Sequence, residues 1–128
     1  MYRWFLEKAN LRNDSFPYPS LTKHILDNLE YISNKKGGFI RNWTCWESSS
    51  GGWKVRFEIG GNRFCLNKRR EHKSNHIFVI VDLKWSCFYQ KCHDIDCIHF
   101  TSQMFPLPKE EMEGISEFFT AEKFLSSL

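Results

Sequence analysis

The sequence predicts a small α+β domain: an antiparallel sheet preceded by an N-terminal amphipathic helix, with a Cys3His zinc site and a C-terminal helix. Three observations predict it. Leu21, Ile25, Leu26, Leu29 and Ile32 recur on one face at helical spacing. Trp53, Val55, Phe57 and Ile59 alternate with Lys54, Arg56 and Glu58, the pattern of a half-buried strand. Cys65, His72, Cys92 and Cys97 form a C-x6-H-x19-C-x4-C skeleton. Three thiolates and one imidazole fill a tetrahedral zinc shell and leave no open position, as in a structural site. Cys92 and Cys97 are spaced for a ligand loop, whereas Cys65 to His72 is longer than the usual close pair. His93 and His99 lie within reach of the same loop, so spacing alone leaves them as competing ligands.

Each element follows from local chemistry. Residues 1–15 show no clean period and read as a tail. Phe16-Pro17-Tyr18-Pro19 is extended, because a residue before proline avoids the helical region. Ser20 is placed to cap the helix, and the stretch from Asn34 to Gly38 ends it. Phe39 to Glu47 is a strand rich in aromatic residues, followed by a Ser/Gly turn and the alternating strand from Trp53. Gly60-Gly61-Asn62 turns the chain, and Arg63-Phe64-Cys65 starts a short strand. Leu66 to Asn75 reads as a basic loop. Ile77 to Asp82 is almost continuously apolar, which suits a central strand. Lys84 to Ser86 turns again, and Cys87 to Lys91 returns as the hairpin partner that delivers Cys92. Residues 16–108 form the domain, and residues 109–128 form an acidic helical tail with Thr120 as a second cap. Cys45 and Cys87 read as packing thiols, since Cys87 and Cys92 fall on opposite faces of an extended strand.

Bulk properties narrow the classes. The chain has 128 residues, 41% of them hydrophobic, with 12 Phe and 5 Trp, so it folds and is not a disordered segment. Its charge of +3 is compatible with nucleic acid without demonstrating it. The cysteine count is odd, at five, and the Met1 end lacks the apolar run of a signal peptide. Metal-binding thiols in a reducing compartment are therefore expected in place of a disulfide framework. Arg3, Lys8 and Arg12 hint at a mitochondrial presequence, interrupted by Glu7 and Asp14. No apolar run approaches the ~18 residues of a membrane span, so no membrane partner is expected.

A resemblance enters at Phe64-Cys65, Arg70-x-His72-Lys73-Ser74-Asn75, Val81-Asp82-Leu83-Lys84 and Tyr89-Gln90-Lys91-Cys92-His93-Asp94-x-Asp96-Cys97. Phe105-Pro106-Leu107-Pro108 follows, and Phe16-Pro17-Tyr18-Pro19 and Ile40-Arg41-Asn42-Trp43 precede. Together these residues resemble the C-terminal zinc-binding domain of eukaryotic PrimPol, the primase-polymerases, which is related to the zinc module of herpesvirus-type DNA primases. The pattern departs at Arg69, where the family usually has Gly, and at Glu71, where the residue is commonly small. The resemblance favours Cys65, His72, Cys92 and Cys97 as the ligand set.

The resemblance implies a part in primer synthesis for DNA replication and damage tolerance. The module would help hold single-stranded DNA template and the 5′ triphosphate of the initiating nucleotide or primer. Lys68, Arg69, Arg70 and Lys73 cluster within the basic loop, and Lys91 and Lys84 are placed to join them. Trp85, Phe88 and Tyr89 offer stacking faces for unpaired bases. Asp94-Ile95-Asp96 and Ser74-Asn75-His76 resemble motifs of primase catalytic cores, but they occur in reversed order and between zinc ligands. Nucleotidyl transfer with Mg2+ or Mn2+ is therefore assigned to a separate catalytic core, which this chain is too short to hold. A stand-alone zinc enzyme is disfavoured, because four protein ligands leave no place for a catalytic water. The alternative is a zinc-stabilised protein-interaction module without DNA contact. Single-strand-binding protein is a further partner the family suggests. The module is expected to be monomeric and to reside in the nucleus or mitochondrion.

Overall fold

The computed structural model describes residues 16–112 and residue 115. The tail over residues 1–15 and the cap at Thr120 lie outside them. Helix α1 spans Pro19–Ser33 and is followed by strands β1 (Phe39–Glu47), β2 (Trp53–Gly60), β3 (Phe64–Cys65), β4 (Arg70–Glu71), β5 (Ile77–Asp82), β6 (Cys87–Cys92) and β7 (Phe105–Pro106). Five strands form one antiparallel sheet in the order β1-β2-β5-β6-β7, and β3-β4 is a separate two-stranded ribbon. The α+β class is as expected, with β5 at the centre of the sheet. A short helix, α2 (Lys109–Met112), follows β7.

The register sets which side chains face α1. Val55, Phe57 and Ile59 lie opposite Val81, Val79 and Ile77, and these in turn lie opposite Phe88, Gln90 and Cys92. All nine point to one face, since side chains alternate along a strand. Trp43 of β1 extends that face opposite Phe57, and the face is covered by Leu21, Ile25 and Leu29 of α1 together with Phe16. The Phe16 ring meets the edges of Trp43 and Phe57 at 5.0 and 4.9 Å. Cys45 is fully buried in this core and Cys87 lies on the opposite face.

Two local expectations are corrected. The helix begins at Pro19 with Tyr18 at the N-cap and no side-chain cap bond, so Ser20 lies inside the first turn. Proline is suited to the first position because its missing N–H would have had no partner there. At the other end Asn34 adopts the left-handed conformation, and its N–H reaches Glu30 O at 2.8 Å. Secondly, the basic stretch is not a plain loop. Phe64 pairs with Glu71 and Cys65 with Arg70, so it folds back as a tight hairpin.

Arg69 closes that hairpin with φ +60° and donates its N–H to Cys65 O at 2.7 Å. A non-glycine residue costs about 1–2 kcal/mol in this conformation. Glycine would adopt this conformation without that cost. Replacing Arg69 by Gly is expected to raise unfolding free energy by roughly 0.5–1 kcal/mol, after the extra chain entropy of glycine is subtracted. Urea melts of the two proteins check this; a destabilised Arg69→Gly would show that the side chain holds the turn.

Candidate metal centre

The four candidate ligands come from three elements. Cys92 ends β6 on the helix-facing side, and Cys97 ends a 3-10 turn over Ile95–Cys97. Asp94 starts that turn, its carboxylate accepting the Asp96 N–H at 2.8 Å. Cys65 ends β3, and His72 follows β4 across the hairpin. The His72 backbone is fixed twice by Arg63: His72 N–H donates to Arg63 O at 3.0 Å, and Arg63 Nε donates to His72 O at 2.9 Å. Asn62 anchors the ribbon to α1. Its Nδ2 donates to Ser33 Oγ at 2.9 Å and its Oδ1 accepts the Phe64 N–H at 3.0 Å.

These elements bring Cys65, His72, Cys92 and Cys97 together, all buried, with their ligand atoms within 4.8 Å of one another. Cys65 Sγ lies 3.4 Å from Cys92 Sγ and 3.7 Å from Cys97 Sγ, and Cys97 Sγ lies 3.9 Å from His72 Nε2. A tetrahedron with metal–sulfur bonds of about 2.3 Å has edges of about 3.8 Å, so the spacing fits one ion. The atoms around the donors also suit a cation. His72 Nδ1 stands 3.0 Å from Asp94 Oδ2, which holds the ring in the tautomer that turns Nε2 to the centre. The Lys68 N–H and Asn67 Nδ2 point at Cys65 Sγ and Cys97 Sγ, each at 3.4 Å. Donors aimed at sulfur stabilise thiolates.

Burial above all raises the Cys92 and Cys97 thiols above the ordinary value, with the neighbouring Cys65 sulfur acting in the same direction. Both are therefore protonated at neutral pH in the metal-free protein. Since metal takes thiolates, loading must expel those protons, and affinity must fall as pH falls. Zinc titration calorimetry at pH 7 in buffers of different ionisation enthalpy should report a release of about two protons or more. Release near zero would show that the thiols are already ionised.

The competing histidines stand elsewhere. His93 turns to the opposite face, where its Nε2 lies 2.7 Å from Glu58 Oε1 and its ring packs tilted against Phe78, with centroids 4.6 Å apart. Arg56 covers the same Phe78 ring at 4.1 Å and also pairs with Glu58 at 2.6 Å. His99 is exposed. Of the basic residues, Lys68 pairs with Asp96 at 3.1 Å, while Arg69, Arg70 and Lys73 are exposed at the ribbon. Lys91 lies on β6 and donates to Phe100 O at 2.9 Å and Thr101 Oγ1 at 3.2 Å. Lys84 sits in the β5–β6 turn, bonded to Ser50 O at 3.2 Å.

The stacking faces need a correction. Phe88 is 1% exposed and packs on Phe105 at 5.2 Å, so it belongs to the core, whereas Trp85 is 71% exposed. Sequence reasoning also missed Asp94 as the His72 partner, Asn62 as the anchor, and β7. A carboxylate three residues before a ligand cysteine was the available signal for Asp94.

Fold and site together define a class: a small α+β module built around three cysteines and a histidine that converge as a metal site. By sequence this chain is similar to DNA primases and primase-polymerases. Residues 48–110, which include all four donors, match the Herpesviridae UL52/UL70 DNA primase family. The DNA-directed primase/polymerase protein of Gallus gallus is 41% identical over 96 residues, covering 72% of this chain and 16% of that protein. The Homo sapiens protein of the same name is 40% identical over 98 residues, 73% of this chain and 16% of that protein. That of Danio rerio is 41% identical over 75 residues, 57% of this chain and 14% of that protein. The chain thus spans only a small part of the length of these relatives. No solved structure matches it significantly. No helix among the described residues is long and apolar enough to cross a membrane.

Proposed function

We propose that this module binds one zinc ion through Cys65, His72, Cys92 and Cys97, and that it uses the pinned basic hairpin to hold the 5′ triphosphate of an initiating nucleotide or primer beside single-stranded template. Three thiolates and an imidazole in tetrahedral spacing suit zinc, and a closed shell makes the ion structural. The observation that carries the reading is the placement of Arg69, Arg70 and Lys73. Their side chains have no ion pair or hydrogen bond among the described residues, and Cys65 and His72 fix the hairpin close to both ends. Ordering loose side chains around an anion costs entropy, and a rigid backbone lowers that cost. Arg supplies a planar fork for phosphate oxygens and Lys a compact charge. The primase-polymerase relationship supplies the setting, in which nucleotidyl transfer belongs to a separate core.

The rival is a zinc-stabilised protein-interaction module, and salt separates the two. Single-stranded DNA binding through three free cations should show a slope of about −2 in log affinity against log salt, because phosphate contacts release counterions. Arg70→Ala and Lys73→Ala should keep the zinc and the melting temperature while flattening that slope. Each lost charge-assisted contact should weaken binding by about tenfold or more. An undetectable interaction with DNA, or a slope near zero, would favour the protein-binding rival.

A further inference from the structure

The β3-β4 ribbon has no backbone ladder to the main sheet, yet Cys65 on the ribbon and Cys92 on the sheet must meet at one ion. One side chain joins them. Gln90 is 2% exposed and sits two residues before Cys92 on the same face of β6. Its Nε2 donates to Phe64 O at 3.0 Å and its Oε1 accepts the Leu66 N–H at 2.9 Å. A carboxamide carries the same donor and acceptor as a peptide group. Gln90 therefore pairs with the peptide groups on either side of Cys65 much as a neighbouring strand would.

Gln90 is itself held from behind. Its N–H donates to Ser102 Oγ at 2.8 Å, and its carbonyl accepts the Ser102 N–H at 3.1 Å. The carboxamide is thus fixed to β6, and it fixes Cys65. Asn62 anchors the same ribbon to α1, but it does not reach β6.

We propose that Gln90 is a positioning residue for the metal centre: by acting as a surrogate strand it sets Cys65 against Cys92 and aims the basic hairpin. This role rests on the metal reading above. It goes beyond packing, because an apolar side chain of equal size would fill the same space without fixing Cys65. Partners that orient ligands characteristically cost 10–100-fold in metal affinity when removed.

The test uses the full chain, with zinc and cobalt(II) affinities measured by chelator competition and the visible ligand-field spectrum of the cobalt form. Gln90→Met keeps the volume and removes both bonds. It should stay folded, bind both ions about 10–100-fold more weakly and show displaced cobalt bands. Val55→Ala removes buried volume from β2 in the same core, opposite Val81 and away from the Ile77–Cys92 end and the ribbon. It should lower the melting temperature and leave the cobalt spectrum unchanged. If Gln90→Met does not fold, Gln90→Asn keeps the amide but shortens its reach, and should shift the same bands. Unchanged affinity and spectrum in the folded Gln90 variant would overturn the positioning role. Failure of the unmutated chain to bind either ion would overturn the metal reading itself, and this role with it.

Discussion

Cys97→Ala is expected to abolish stoichiometric zinc and to lower the melting temperature by more than about 15 °C. Cys97 is buried, its sulfur lies 3.7 Å from Cys65 Sγ, and it holds the turn that also presents Asp94 to His72. Structural zinc contributes roughly 10–16 kcal/mol of apparent binding energy in small modules, and that energy is folding energy. Losing even ~4 kcal/mol of it shifts a domain of this size by about 4–8 °C per kcal/mol. The loss should also be local in origin. Cys65, Cys92 and Cys97 belong to the same buried cluster as Phe57 and Val79, so unloading the site loosens one flank of the core. Cys45→Ala is the control, since Cys45 packs opposite Val55 away from the donors. It should retain one zinc and lose only about 1 kcal/mol. Metal analysis and thermal melts of the three proteins decide the matter. Full zinc retention in Cys97→Ala would remove that residue from the ligand set.

Gly61→Ala is expected to destabilise the domain by more than about 3 kcal/mol. Gly61 has φ +75°, and a Cβ there would collide with the carbonyl oxygen of Gly37 and sit 3.0 Å from its carbonyl carbon. The left-handed backbone costs an alanine about 1–2 kcal/mol, and relieving a backbone collision adds to that. The damage has a direction, because Asn62 follows immediately and ties the ribbon to Ser33. Displacing the 37–38 loop therefore loosens the root of the Cys65 hairpin. Gly51 is the comparison: φ is +96°, but the nearest atom to an added Cβ is the Lys84 Nζ, at 3.6 Å. Gly51→Ala should thus cost only the backbone term, about 1–2 kcal/mol. Equal costs at the two positions in urea melts would show that the Gly37 approach is not what makes Gly61 necessary.

Long elements with a clear period were legible in the sequence. β1 runs Phe39–Glu47 as expected, and the alternation from Trp53 and the apolar run Ile77–Asp82 became β2 and β5. Of the ribbon, the first strand was legible at Phe64-Cys65, but its two-residue return at Arg70-Glu71 carries no alternation and was not. What makes it a ribbon is a pair of buried amides, Asn62 and Gln90, whose partners are 29 and 26 residues away in sequence. β7 was hidden for a similar reason: two residues, one of them proline, carry no alternation, and only their place at the sheet edge beside β6 makes them a strand. The donor skeleton was readable, but the exclusion of His93 was not. That required Glu58 and Phe78 on the far face of the sheet to hold the ring. Phe88 misled because an aromatic near a basic run looks like a stacking face, whereas the strand register sends it into the core beneath α1.

The central claim is that a metal-pinned hairpin grips a 5′ triphosphate. The zinc-loaded chain should be offered two single-stranded oligonucleotides of one sequence, one with a 5′ triphosphate and one with a 5′ hydroxyl, at the same ionic strength. The triphosphate end should bind at least about tenfold more tightly, and Arg70→Ala should remove most of that difference while keeping its zinc. Equal affinity for the two ends in the unmutated protein would contradict the account.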